Sequence, residues 1–163
     1  MPRTDFNVLV VDDDFGIRRA LQERLSAAGF GVTTVPTGEE AVGLCTGTPP
    51  DAVILDVKLP GADGYQTCEQ IRAVVDAPEL AVIFLTGVRH AGTESGLDQL
   101  VNRAGGDYFL CKPYDPHLLI RLLDRIEAEK SAAAGSAELT EASTSRRTAG
   151  NRLGPVPGGE ATE

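Results

Sequence analysis

Val8-Leu9-Val10-Val11 and Ala52-Val53-Ile54-Leu55 are apolar at every position. A strand with one wet face alternates apolar and polar residues, so an unbroken apolar run asks for cover on both faces. Other segments of the chain must provide that cover, and they come in regular alternation. Short β-rich runs stand at Asn7–Val11, Val32–Val35, Ala52–Asp56, Ala81–Thr86 and Tyr108–Cys111. Between them lie stretches with helical spacing. Ile17, Leu21 and Leu25 recur at every fourth position up to a stop at Gly29. Gly38–Cys45 is a short helix candidate, and Tyr65, Cys68, Ile71 and Val75 fall near one face of a helix over Tyr65–Val75. Ser95–Ala104 carries Leu97, Leu100 and Val101 and ends at Gly105-Gly106. Pro116–Lys130 carries Leu118, Leu119, Leu122, Leu123 and Ile126 behind an N-cap candidate, Asp115. Five βα units in succession predict an α/β fold, a five-stranded parallel doubly wound sheet with helices on both faces. Such sheets hold ligands at the carboxyl ends of their strands, where the strand order reverses.

At 163 residues the chain is long enough for one ordinary core. That core is expected within residues 1–130. Residues 131–163 turn to Ala, Gly, Ser, Thr and Pro, without an aromatic and with nearly balanced charge. Such a segment buries too little to offset its ordering entropy, so a flexible low-complexity tail is expected, with at most a transient helical extension through Ala132–Ala134. The formal net charge of −9, with no basic run longer than two, argues against direct DNA binding. No apolar stretch reaches the roughly 20 residues of a membrane span, and polar residues stand where a signal peptide would be apolar. Cys45, Cys68 and Cys111 are far apart and form no C-x-x-C pair. They read as free, buried or half-buried thiols of a reducing, cytoplasmic compartment.

The polar residues at the strand ends are the chemical content. The first strand runs into Asp12, Asp13 and Asp14, the third ends at Asp56, the fourth at Thr86, and the fifth leads to Lys112-Pro113. A parallel sheet brings these to one edge. Crowded carboxylates repel one another and call for a cation. A hard divalent ion such as Mg²⁺ suits all-oxygen ligands and also binds phosphate oxygens. An aspartate can accept a phosphoryl group as an acyl phosphate, with a lysine and a hydroxyl to pair its oxygens. Asp14 reads instead as an N-cap for the following helix. His90 and His117 read as lone surface residues.

These motifs together resemble the receiver domain of two-component response regulators, of the stand-alone type, with its flavodoxin-like sheet. The resemblance is carried by Val8–Asp14, by Val53–Gly64 (VILDVKLPGADG), by Phe84-Leu85-Thr86-Gly87 and by Ala104–Tyr114 (AGGDYFLCKPY), in the family's order over about residues 5–130. It implies Asp56 as phosphoacceptor and Asp13 as a direct Mg²⁺ ligand, with Asp12 acting mostly through water. It gives the metal the backbone carbonyl of Lys58, assigns phosphate pairing to Lys112, and makes Thr86 and Phe109 the switch residues. It also raises the expectation of a cis bond at Lys112-Pro113. The chain would then be a signalling switch and not an enzyme. It would be phosphorylated by a sensor histidine kinase or a histidine phosphotransfer protein and answer to a downstream protein partner, with no direct DNA binding and no membrane.

Two features depart from the family. The stretch from Thr86 to Lys112 is long, and the extra length falls in Val88–Gly96, predicting a mobile loop and a late fourth helix. Phe109 lacks the hydroxyl of the Tyr common at its position. Lys58 at the mouth of the site is expected to alter the lifetime of a phosphorylated form. Three alternatives remain beside this reading. A receiver-like interaction module need not be phosphorylated. An Asp-nucleophile phosphatase would place an acid where Lys58 stands. A flavodoxin-like cofactor binder would want a Ser/Thr/Gly-rich first loop in place of Asp12-Asp13-Asp14.

Overall fold

The computed structural model describes residues 5–87, 99 and 101–135. Its strands are β1 (Asn7–Val11), β2 (Gly31–Val35), β3 (Ala52–Asp56), β4 (Ala81–Gly87) and β5 (Tyr108–Lys112). Its helices are α1 (Phe15–Ala27), α2 (Gly38–Gly47), α3 (Gly64–Val74), α4, helical at residues 99 and 101–104, and α5 (Pro116–Gly135). The five strands form one parallel sheet in the order β2-β1-β3-β4-β5.

The expected cover is present on both faces. Leu9, Val11, Val53, Leu55, Val82, Phe84 and Phe109 point into a layer with Ala41 and Cys45 of α2, Cys68 and Ile71 of α3, and Val101 and Ala104 of α4. Val8, Val10, Ile54, Ile83, Leu85 and Leu110 point the other way, onto Leu21 and Leu25 of α1 and Leu119, Leu123 and Ile126 of α5. β3, paired on both sides, is buried along its whole length, whereas the edge strand β2 is buried only at Val35. Burial at both faces suits the β-branched and aliphatic residues of β1 and β3.

Local signals set most of the helix ends. The Ile17 N–H donates to Asp14 Oδ1 at 3.0 Å, which makes Asp14 the N-cap of α1. That helix stops before Gly29, whose φ of +100° lies in the left-handed region. Asp115 accepts from the His117 N–H at 2.9 Å ahead of Pro116. Asp63 and Gln66 close a capping box on α3. α5 runs on to Gly135, beyond Lys130 where the sequence pattern ended it. Ile17 is 36% exposed, unlike its helical partners Leu21 and Leu25, because it lies in the first turn. The Val88–Gly96 loop and most of the expected tail lie outside the described residues.

Candidate functional site

β1 and β3 are neighbours, but the chain leaves β1 toward β2 and leaves β3 toward β4. Their carboxyl ends therefore open the crevice of the sheet, and both ends carry acids. Asp12 is 2% and Asp56 7% exposed, while Asp13 faces solvent. One carboxylate oxygen from each of the three lies within 4.8 Å of the others.

The loop after β1 is held from several sides. The Asp12 N–H donates to Val35 O at 3.2 Å, and the Asp14 N–H donates to Asp12 Oδ1 at 2.9 Å. Arg18 reaches back from α1 and donates from Nη1 to the Asp12 carbonyl at 2.9 Å. Asp12 Oδ2 is buried without a hydrogen-bond partner. Burial pushes the Asp12 carboxyl above the usual carboxylate range. The Asp14 N–H opposes that, the charge of Asp56 adds to it, and Lys112 opposes it. A buried, raised, half-satisfied carboxylate beside two others is a set of hard oxygen donors short of a cation. The residues fit a divalent ion such as Mg²⁺.

On the opposite side, Lys112 at the end of β5 places Nζ 3.0 Å from Asp56 Oδ1. The Lys112-Pro113 peptide is cis, as the resemblance led us to expect. Lys58, two residues past Asp56, is exposed. The following turn brings α3 hard against the acceptor strand: the Gly64 N–H donates to Val57 O at 2.8 Å, and a Cβ on Gly64 would stand 2.4 Å from Asp56 O. Only glycine fits there.

Thr86 is 2% exposed at the carboxyl end of β4, one residue past the Leu85 that pairs with Asp56. Its hydroxyl donates to Gly87 O at 3.3 Å. Phe109 is 1% exposed in the same apolar layer as Phe84, Val101 and Ala104, so in this structure it is a core residue. His117 is exposed and takes part through its backbone, and His90 lies outside the described residues. Cys45 and Cys68 are buried free thiols, pushed up by burial to about 11 and about 12, and Cys111 is half-buried.

The structure thus brings Asp12, Asp13, Asp56 and Lys112 together and puts Thr86 at the neighbouring strand end. Sequence reasoning placed Tyr65 on a helix face but missed its ring contact with Phe84 at a centroid distance of 5.0 Å, since nothing in the local pattern marks a contact between the start of α3 and β4. It also missed Arg18, whose link to Asp12 runs through backbone. The Asp63 cap could have been found from the Asp-x-x-Gln spacing.

Comparison with known proteins bears on this site. The family "Response regulator receiver domain" matches residues 8–124. The chain is 37% identical over 138 residues to the probable transcriptional regulator ycf27 of Guillardia theta, covering 84% of this chain and 51% of that protein. It is 40% identical over 123 residues to the response regulator MprA of Mycolicibacterium vanbaalenii, covering 74% of this chain and 48% of that protein. Among solved structures, the BeF3-activated receiver domain of DrrB, from Thermotoga maritima, superposes with a TM-score of 0.63 at 31% identity, covering 76% of this chain and 97% of that one.

The chain spans about half the length of these curated relatives. One of them is named a transcriptional regulator, and DrrB is described as an OmpR/PhoB homolog. This overturns the expectation of an output through protein contact alone with no direct DNA binding. A net charge of −9 describes only the surface of the chain that carries it, and the relatives hold as much chain again. Among the described residues no helix is long and apolar enough to cross a membrane.

Proposed function

The chain belongs to the response regulator receiver domain family, and we propose that it works as a switch that takes a phosphoryl group on Asp56. The observation that carries this reading is the placement of Lys112 Nζ at 3.0 Å from Asp56 Oδ1, across from the Asp12 and Asp13 carboxylates. One carboxylate sits between a fixed cation and a cluster built for a second one.

An oxygen of the Asp56 carboxylate attacks the phosphorus of a donor, and the donor's leaving oxygen departs with the electron pair of the bond that breaks. The product is an aspartyl phosphate. Lys112 exchanges its carboxylate partner for a phosphoryl oxygen as that charge develops, at little cost in reorganisation because it is already in place. Asp12, Asp13, Asp56 and the backbone carbonyl of Lys58 would hold Mg²⁺, which when bound supplies neutralising charge to the phosphoryl oxygens. The Thr86 hydroxyl then donates to the phosphoryl group, and the shift of Thr86 changes the surface formed by β4, β5 and the helices beside them. A switch of this kind suits the transcriptional control after which its relatives are named.

The test is incubation with acetyl phosphate, with and without Mg²⁺, read by intact mass. A gain of one phosphoryl group that requires Mg²⁺ and is absent in Asp56→Asn is expected. A chain that gains nothing, beside a receiver that does under the same conditions, refutes the reading and leaves an interaction module.

A further inference from the structure

Phe15 is 65% exposed at the first position of α1, next to the turn of Asp12, Asp13 and Asp14, and it belongs to neither apolar layer. One helical turn on, the Arg18 guanidinium lies over its ring, with Cζ 5.6 Å from the centroid. Residues three apart on a helix are neighbours, and a flat guanidinium stacks well on an aromatic face. Long side chains on a helix lean toward its N-terminus. Arg18 does so far enough for Nη1 to donate to the Asp12 carbonyl at 2.9 Å. A cation in the first turn faces the positive end of the helix dipole, and a cation beside a metal site repels the metal. What the guanidinium offers there is a fixed donor.

The Asp12 carbonyl and the Asp13 nitrogen belong to one rigid peptide plane. Holding that oxygen sets the direction in which the chain leaves β1 for Asp13. The rest of Asp12 is already tied, because its N–H donates to Val35 O and its Oδ1 accepts from the Asp14 N–H. Asp13 faces solvent, so its carboxylate is placed chiefly by its backbone.

We propose that Arg18 is a positioning residue for the cation site, steadied on Phe15 and fixing the place of the Asp13 carboxylate through the Asp12 carbonyl. The inference rests on the Mg²⁺ site proposed above. It deepens that reading by naming what preorganises its exposed ligand. It also gives the exposed Phe15 a task, as the platform that keeps the guanidinium from swinging into solvent. Outer partners that orient metal ligands commonly change metal affinity by roughly tenfold or more.

The experiment is a titration of the full chain with MgCl₂ at fixed ionic strength, followed by amide NMR shifts. It is run on the unaltered chain, Arg18→Met, Arg18→Lys, Phe15→Ala and the double variant Phe15→Ala with Arg18→Met. Arg18→Met is expected to weaken the apparent Mg²⁺ dissociation constant about tenfold. The sign is diagnostic, because loss of a positive charge by itself would tighten cation binding. Arg18→Lys keeps a donor for a single acceptor and should recover part of the loss. Phe15→Ala should weaken binding about threefold, the size of an exposed cation–π contact, and should add nothing in the Arg18→Met background. Unchanged or tighter binding by Arg18→Met overturns the proposal, as does an Arg18→Lys no better than Arg18→Met. Additive losses in the double variant overturn the platform role of Phe15. Failure of the unaltered chain to bind Mg²⁺ overturns the cation-site reading and this inference with it. Binding by the unaltered chain with an inert Arg18→Met overturns the inference alone.

Discussion

Asp12 carries a charge that its surroundings disfavour. Its folded carboxyl is raised above the ordinary value of 3.8, chiefly by burial, so as pH climbs the unfolded state loses that proton first. The stability tied to the protonated form is present below the unfolded value and is lost as pH rises through the folded one. At neutral pH the ionised Asp12 therefore opposes folding unless a cation answers it. In EDTA, the Asp12→Asn variant is expected to melt about 2–6 °C above the unaltered chain. Added Mg²⁺ should raise the melting temperature of the unaltered chain and leave the variant nearly where it was. An Asp12→Asn variant that melts lower in EDTA, or that gains as much from Mg²⁺, contradicts the charge argument. Lys58 is a second case at this scale. It is exposed two residues past Asp56, and Lys58→Ala should change the decay rate of the phosphorylated chain severalfold; identical decay by intact mass would dismiss it. The acids and Lys112 were legible because each ends an apolar run that has only one place to go in a parallel sheet. Tyr65 and Arg18 were not, because their contacts depend on how α3 and α1 settle against the sheet.

Helix α3 shows how elements are tied together below the site. Arg72 donates from Nη2 to Asp107 Oδ2 and from Nε to Gly105 O, each at 2.9 Å. Asp107 Oδ2 also accepts from the Val82 N–H at 2.9 Å, so one carboxylate joins α3, the start of β4 and the turn between α4 and β5. Both side chains are largely buried, at 17% and 11% exposure. Taking one partner from such a pair strands the other, typically at about 3 kcal/mol. Arg72→Met keeps the stem and loses the fork, and it should lower unfolding stability by about 2–3 kcal/mol. Arg72→Lys should recover little of that, since an ammonium cannot span both acceptors. Urea unfolding gives the first figure, and faster hydrogen exchange at the Val82 amide locates the loss. Unchanged exchange there would show that the clasp does not hold β4. Strand positions were readable from apolar runs to within a residue or so. The helices were read less evenly. α5 outlasts its apolar face, which ends near Lys130, and takes in the Ala132–Ala134 extension that helix propensity alone allows.

At the scale of the whole molecule, burial of weak acids ties the fold to pH from the alkaline side. Cys45, Cys68 and Tyr108 are pushed up by burial to about 11, about 12 and about 12, from ordinary values of 9.0, 9.0 and 10.0. All three belong to the two apolar layers, Cys45 and Cys68 on one face of the sheet and Tyr108 on the other. Their ionised forms are excluded from the folded state while the unfolded chain ionises freely. Above pH 9 the unfolded state binds fewer protons than the folded one, so stability must fall as pH rises, and the fall continues through the folded values. Between pH 8 and pH 10 the two thiols together should remove about 3 kcal/mol, read as a lower urea midpoint with an unchanged slope. Cys68→Ala removes one contributor, so it should flatten this alkaline dependence even though the cavity it leaves lowers stability at pH 8. The two effects separate cleanly, because the cavity loss is the same at every pH and the titration loss is not. The same burial withholds the thiolate, so at pH 8 an alkylating reagent should modify the half-buried Cys111 well before Cys45 or Cys68. Alkylation of all three at one rate in the folded chain would mean that the layers open far more often than a doubly covered sheet allows.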